Sequence, residues 1–254
     1  MLQKIKYKPI YRTHKDSIDR DFYVPSFSES VKLERAAGYF SLHSLTLSID
    51  GIIRFVQKKG QINLICSPDL SQADAELIDA CISLDSNLVT KSLLKTITDS
   101  KLSDEEIDQL DVICNMLCEG KLEIKIAYQP LGIFHEKFGI FVDEAGNKVY
   151  FNGSMNETKR ALVYNQESIR VNYSWQDEFT ARFIDHEQGY FSSLWNNQEE
   201  SVVVIDFPKA VENELLNCYK RSETLEAAID IWAFLKREKG FVSLSKRRYP
   251  AILR

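Results

Sequence analysis

Four side chains with complementary chemistry flank a predicted β-hairpin. His135 and Lys137 stand two residues apart, before a turn predicted at 143–147. Ser154 and Asn156 follow the returning strand. The lysine, serine and asparagine side chains can donate hydrogen bonds to an anion, whereas the imidazole can act as a nucleophile. The combination suits a phosphate group, and it contains no set of carboxylates that would hold a divalent metal ion.

The hairpin explains how the two pairs would meet. Because side chains alternate along a strand, His135 and Lys137 are predicted to share one face of a strand over 134–142. The returning strand, over 148–152, ends at Gly153. Small residues at that end would let the following hydroxyl and amide approach the start of the first strand. We therefore expect one concave site that presents all four groups.

These residues resemble the HKD motif of the phospholipase D superfamily. The pattern H-x-K occupies 135–137, G-S-x-N occupies 153–156, and N-x-E occupies 165–167. In the family, an aspartate comes five positions after the lysine, where this sequence has Val142 and places Asp143 one position later, at the turn. The resemblance gives that aspartate a mainly structural role and leaves the role of Asp143 open.

The resemblance implies a role for each motif residue. His135 would attack phosphorus and form a phosphohistidine, while Lys137, Ser154 and Asn156 would bind the phosphoryl oxygens. Glu167 would hold the imidazole ring in one tautomer. Chemistry of this kind needs neither a metal ion nor a cofactor.

Family chemistry also needs a second histidine, which protonates the leaving oxygen. An imidazole can serve either role near neutral pH. The remaining histidines, His14, His43 and His186, do not belong to a second such motif. The simplest completion is a symmetric homodimer, in which His135 of one copy faces His135 of the other across a two-fold axis.

The resemblance extends beyond the motif to about 15–197. The segments "RAAGYFSLHSL", "INLICSPDLS" and "FNGSMNETKRAL" resemble the N-terminal phospholipase D-like nuclease domain of certain bacterial helicase and restriction-type proteins. This implies a DNA substrate and a helicase or ATPase as partner or as following domain. The chain would then be an excised nuclease domain of a longer polypeptide or a stand-alone relative.

Hydrophobic periodicity predicts the elements that must position these residues. A β-α-β-α order is typical of a sheet with helical crossovers, and Ser103 to Glu106 reads as a capping box. Strands are predicted over 32–40, 61–67, 122–128, 134–142, 148–152, 167–173 and 202–207. Helices are predicted over 44–58, 67–83, 90–118 (in two parts), 177–196, 208–219 and 223–239. The resemblance implies an α/β fold in which a mixed central β-sheet is flanked by helices on both faces.

A change in pattern near residue 200 suggests two parts. Residues 1–200 are predicted to form the phospholipase D-like nuclease domain. Residues 201–254 are predicted to form a mostly helical extension whose basic end links to a following helicase core. Basic residues also cluster over 4–15. Both basic ends are equally well explained as solvated surface.

Composition excludes several classes of protein. The chain has 254 residues, and it has no apolar run near the ~18 residues that a membrane span requires. It also lacks the apolar core of a signal peptide, which predicts a cytoplasmic protein without a membrane partner. Its five cysteines form no metal-binding pattern and are predicted to be free thiols. The net charge of −5 argues mildly against a large nucleic-acid surface.

The sequence therefore predicts a metal-independent endonuclease that cleaves DNA, as the nuclease module of a restriction or phage-defence system. Two alternatives stay open. One is a phospholipase-type enzyme that acts on a phosphodiester outside nucleic acids. The other is a catalytically silent module that binds nucleic acid or dimerises and serves a helicase.

Overall fold

A computed structural model describes residues 1–38, 42–67, 102–129, 134–154 and 165–238. Within these ranges the chain forms one eight-stranded mixed sheet with the strand order β1-β7-β6-β5-β2-β3-β4-β8. The strands are β1 (Ile10–Arg12), β2 (Lys32–Ala37), β3 (Gln61–Cys66), β4 (Leu122–Tyr128), β5 (Phe138–Val142), β6 (Lys148–Gly153), β7 (Ser168–Tyr173) and β8 (Val203–Asp206).

The pairing of the strands is parallel in the middle of the sheet and antiparallel elsewhere. Strands β2, β3 and β4 run parallel, as the predicted helical crossovers require. The β5–β6 hairpin and β7 form an antiparallel meander that joins the sheet through β2, and β1 extends it beyond β7. The hairpin is therefore held between β2 and β7.

Helices cover both faces of the sheet, which confirms the predicted fold class. The described α-helices are α1 (Val24–Glu29), α2 (Leu42–Thr46), α3 (Ile49–Gln57), α4 (Asp104–Cys118), α5 (Glu178–Trp195), α6 (Lys209–Tyr219) and α7 (Leu225–Glu238). Helix α5 packs Ile184, Phe191 and Leu194 onto one face. The other helices share a larger apolar core on the opposite face.

Local sequence signals account for where several helices begin. Ser103 and Glu106 form the predicted capping box of α4: the Glu106 amide donates to Ser103 Oγ at 3.3 Å, and the Ser103 amide donates to the Glu106 carboxylate at 3.0 Å. Asp177 caps α5 by accepting the Thr180 amide at 2.8 Å. Of the residues predicted over 67–83 and 90–101, all but Ser67 lie outside the described residues.

The prediction of one continuous helix over 44–58 was wrong, because the structure has two helices there. Helix α2 ends at Thr46 and α3 starts at Ile49. Two residues after it begins, α3 approaches α1 closely at Gly51, where a Cβ atom would lie only 2.6 Å from the Val24 carbonyl oxygen. The break in the helical pattern thus coincides with close packing of α3 against α1.

Aromatic packing supports the hairpin from the larger core. Phe141 on β5 and Phe151 on β6 stack with ring centroids 5.7 Å apart, and Phe22 meets Phe151 edge to face at 5.0 Å. All three side chains are fully buried. Burial of three aromatic rings fixes the hairpin on the sheet. Its open end lies beyond this aromatic packing.

The segment after residue 200 packs on the same sheet. Strand β8 pairs antiparallel with β4, and Leu215, Leu225 and Trp232 of α6 and α7 belong to the larger core. The division into residues 1–200 and 201–254 stays a prediction. Across the described ranges, the longest apolar helical stretch is too short or too polar for a membrane span.

Candidate phosphodiesterase site

The predicted site lies at the open end of the β5–β6 hairpin. Phe138 pairs with Asn152, and one further bond, from the Gly153 amide to the Lys137 carbonyl oxygen at 3.2 Å, continues the hairpin past the regular strand. The chain therefore folds back as predicted. The end of β6 therefore lies beside the residues that precede β5.

The expected strand over 134–142 is shorter, because β5 begins only at Phe138. Ladder pairing between β5 and β2 ends where Phe138 meets Ala36, so earlier residues lack that neighbour. His135 is exposed, whereas Lys137 is buried with 8% of its surface accessible. The prediction that both side chains occupy one face of a strand was wrong, although both line the same pocket.

Gly153 allows the close approach of β6 to β7 at the site. A Cβ atom at this position would lie 2.0 Å from the carbonyl oxygen of Ser168, which is far inside van der Waals contact. The next residue, Ser154, donates its amide to the same carbonyl at 3.2 Å and accepts the Ser168 amide at 3.3 Å through Oγ. The glycine of the motif therefore sets the position of its serine.

Ser154 and Glu167 are in direct contact. The serine hydroxyl donates a hydrogen bond to Glu167 Oε2, and the Asn165 side-chain amide donates to Oε1 at 3.1 Å. Among the residues that the structure describes, the carboxylate thus meets Ser154 and Asn165 and not the ring of His135. The predicted orientation of His135 by Glu167 stays a prediction, and Asn156 lies outside the described residues.

Thr13 is a supporting residue that the sequence did not predict. It is 2% exposed and ties the Glu167 loop to the end of β1. Its hydroxyl donates to the Asn165 carbonyl at 2.7 Å and accepts the Glu167 amide at 3.0 Å, while its own amide donates to the Glu167 carbonyl at 3.1 Å. Its partners lie about 150 positions away in sequence, so no local pattern signals this role.

Lys137 supplies a partly desolvated positive charge. Its ammonium donates to the His135 carbonyl oxygen at 3.1 Å. Burial lowers the pKa of Lys137, and the nearby charge of Arg35 lowers it further, against the opposing effects of Glu167 and Glu136. Arg35 on β2 pairs with Gly139 on β5, and its buried side chain lies over the Phe151 ring. An anion bound here would relieve the repulsion between the two cations.

The motif residues open into a pocket of about 390 Å³. Several lining residues were not predicted from the sequence, because they lie on β6 and β7 and reach the site only through strand pairing. The lining consists of His135, Glu136, Lys137, Phe138, Tyr150, Asn152, Gly153, Ser154, Ser168 and Arg170. The pocket therefore combines an accessible imidazole, two cations and several hydrogen-bond donors, a set that can bind and attack a phosphate.

The displaced aspartate, Asp143, organises the turn at the far end of the hairpin. Its carboxylate accepts the amides of Ala145 at 3.0 Å and Asn147 at 2.9 Å, and also the amide of Leu2 at 2.9 Å. Burial alone would raise the pKa of Asp143, but these hydrogen bonds together with that of the Asn147 side chain lower it below its usual value. Asp143 is thus a structural residue of the turn.

Comparison with known proteins identifies a family and similar folds. Residues 36–195 match the family described as "Cardiolipin synthase, PLD-like domain". No curated protein is significantly similar to the chain in sequence.

Several solved structures are similar to this one at low sequence identity. NucT from Helicobacter pylori is 13% identical, with a TM-score of 0.42 over 78% of this chain and 97% of that one. Nuc from Salmonella typhimurium, a phospholipase D family member, is 10% identical, with a TM-score of 0.41 over 78% and 95%. Phosphatidylserine synthase from Haemophilus influenzae Rd KW20 is 11% identical, with a TM-score of 0.46 over 91% and 46%.

The family match spans more than half of the chain and includes both the hairpin and the β7 strand that follows it. The chain belongs to the phospholipase D-like family, whose members are phosphodiester hydrolases and transferases.

Proposed function

We propose that the protein is a metal-independent phosphodiesterase that cleaves DNA through a phosphohistidine formed on His135. The observation that carries the proposal is the pocket that exposes His135 beside the buried ammonium of Lys137 and the hydroxyl of Ser154. Asn156 completes the phosphate-binding set in this proposal, and Glu167 orients the imidazole. The placement of His135, Lys137 and Ser154 supports attack on a phosphodiester whose charge is neutralised by the site.

The reaction needs two imidazoles. A neutral ring nitrogen of His135 attacks phosphorus, so that a P–N bond forms and the P–O bond to the leaving group breaks. A protonated second imidazole gives its proton to the leaving oxygen. Water then attacks phosphorus, the second imidazole takes the proton of that water, and the P–N bond breaks to release His135.

In this proposal a second copy of the chain supplies the second imidazole. Two other histidines have side chains that the structure describes, His14 and His186. Neither lines the pocket of His135. A two-fold axis at the open end of the hairpin would place two copies of His135 on opposite sides of one phosphate.

The proposed setting of this activity is a restriction or phage-defence system. The resemblance that the sequence alone suggests, between residues 15–197 and nuclease domains of helicase and restriction-type proteins, is the ground for proposing a nuclease module that works with a helicase. Co-purification of the chain with an ATPase from its own host, followed by ATP-dependent cleavage, is the expected result. Cleavage by the isolated dimer that no host ATPase changes would contradict this setting.

Replacement of the nucleophile tests the proposed activity. We expect His135→Ala to abolish DNA cleavage while binding of DNA persists, because the phosphate-binding groups stay in place. Wild-type protein should cleave in excess EDTA and should yield an acid-labile, phosphate-linked protein adduct that His135→Ala lacks. His186→Ala, which changes an exposed histidine outside the pocket, is the matched control.

Three results would contradict the proposal. Complete loss of wild-type cleavage in EDTA would show that a metal ion takes part. A wild-type protein that binds DNA but cleaves no nucleic acid would instead favour the silent binding module. Hydrolysis of phospholipid vesicles without cleavage of DNA would favour the phospholipase-type alternative.

A further inference from the structure

The pocket at His135 adjoins a second pocket on the same sheet. The second pocket has a volume of about 320 Å³ and lies along β7 and the start of β1. Its lining consists of Pro9, Ile10, Arg170, Val171, Asn172, Tyr173 and Gln176. Arg170 lines both pockets, so the two form one continuous surface that leads away from the proposed nucleophile.

Strand register places Arg170 in a row of paired residues that crosses the sheet from β5 to β1. Phe138 on β5 lies opposite Asn152 on β6, Asn152 lies opposite Arg170 on β7, and Arg170 lies opposite Ile10 on β1. Residues directly opposite each other point to the same face. Arg170 is therefore two strand spacings, about 9–10 Å, from the strand that follows His135.

A second cation follows Arg170 on the same surface. Arg12 on β1 lies opposite Ser168, one row closer to the open end of the hairpin. Both arginines are exposed. Among the residues that the structure describes, none forms an ion pair or hydrogen bond with the guanidinium of Arg170.

The opposite side of the first pocket is acidic. The Tyr150 hydroxyl donates to the Glu187 carboxylate of α5 at 3.0 Å. Glu136 lines the same pocket. Burial raises the pKa of Tyr150, and the charges of Glu187 and Glu136 raise it further. A polyanion that leaves the nucleophile is therefore repelled on the α5 side and attracted on the β7 side.

We propose that Arg170 binds the phosphate next to the scissile phosphate of a nucleic-acid strand that runs from His135 across β6 and β7 toward β1. This inference rests on the proposed function of His135 and names its substrate class: a chain of phosphodiesters in preference to an isolated diester. A planar guanidinium can donate two parallel hydrogen bonds to one phosphate, and this second contact would set the path of the strand across the sheet.

The first test compares two substrates on the wild type and on Arg170→Gln. One substrate is bis(4-nitrophenyl) phosphate, which carries a single phosphodiester, and the other is a short single-stranded oligonucleotide. The readout is the ratio of kcat/KM for the oligonucleotide to kcat/KM for the single diester. We expect Arg170→Gln to lower this ratio about tenfold, because a charge-assisted hydrogen bond to a neighbouring phosphate is lost.

Arg54→Gln is the matched control. Arg54 is an exposed arginine on α3, which packs on the opposite face of the sheet, so its replacement removes the same charge outside both pockets. This variant should keep the wild-type ratio. An equal ratio for wild type and Arg170→Gln, or an equal fall in both variants, would overturn the inference.

A binding measurement separates this inference from the proposed catalysis. Fluorescence anisotropy of a labelled oligonucleotide is followed against salt concentration in a His135→Ala background. Loss of one phosphate contact should reduce the slope of log K against log salt by about one in the Arg170→Gln double variant, and Arg54→Gln should not change it. If no variant cleaves either substrate, the proposed function fails, and this slope alone decides the inference; an unchanged slope overturns it.

Discussion

Asp143 holds together two parts of the chain that are 141 positions apart. Its carboxylate accepts amides from the hairpin turn and from Leu2 while it is only 3% exposed. One position of displacement from the family pattern is tolerable because the residue acts on backbone amides of a turn and does not touch the phosphate site. Asp143 therefore stabilises the fold, whereas the residues proposed for the chemistry lie at the other end of the hairpin.

Asp143→Asn should destabilise the fold by about 1–3 kcal/mol at pH 7, because an amide cannot accept all of these buried donors. The lowered pKa of Asp143 means that its contribution is fully present above the unfolded pKa of about 3.9 and is lost as pH falls through the lower folded value. The difference in melting temperature between wild type and variant should thus shrink in acid.

Asp206→Asn is the control for this prediction. Asp206 has a side chain that is 92% exposed and pairs with Lys125 only at the surface, so its replacement should change stability little at any pH. An Asp143→Asn protein as stable as wild type at pH 7 would contradict the structural role of this carboxylate.

At the scale of elements, the site depends on three antiparallel strands that meet at one open end. Strand β6 lies between β5 and β7, so a single glycine at its end controls contacts to both neighbours. The amide of Gly153 binds the Lys137 carbonyl on one side, and its missing side chain makes room for the Ser168 carbonyl on the other.

Gly153→Ala should separate β6 from β7 and weaken the two bonds between Ser154 and Ser168. We expect a loss of about 1–3 kcal/mol of stability from overpacking and a large fall in phosphodiesterase kcat. Thermal unfolding and kcat on bis(4-nitrophenyl) phosphate measure the two effects.

Gly189→Ala provides the comparison. Gly189 lies in α5 with open space around the position of a Cβ atom, so alanine there should stabilise the helix by about 0.5–1 kcal/mol. Full activity and stability of Gly153→Ala would show that the strands adjust and that the close approach is dispensable.

At the scale of the whole molecule, the proposed chemistry requires two copies of the chain. One copy brings a single motif histidine to the pocket, while the two-step reaction uses two imidazoles. The exposed position of His135 at the open end of the hairpin leaves it accessible to a second copy.

Mixed dimers test this requirement. If one site is shared, a dimer of one wild-type and one His135→Ala subunit should be inactive. After subunit exchange in an equal mixture, about a quarter of the dimers are wild type on both sides, so the mixture should have about a quarter of the activity of the same total amount of wild type. Independent sites would retain about half. Sedimentation of the wild type as an active monomer would also contradict the shared site.

Some features of this protein followed from the sequence because they depend on local patterns. The hairpin, its turn and the order of the motif residues are encoded over 24 neighbouring positions, 135–158, and hydrophobic periodicity predicted most strands and helices near their observed bounds. The capping box of α4 is equally local, since its two partners are three residues apart.

The tertiary structure decided what depends on distant neighbours. The start of β5 is set where pairing with β2 ends, and the break between α2 and α3 coincides with the packing of α3 against α1. Thr13 reaches the Glu167 loop, and Arg170 reaches the pocket of His135, only through the register of strands far apart in sequence. Such contacts leave no periodic signal in the chain, because each depends on which strands become neighbours and not on the residues beside it.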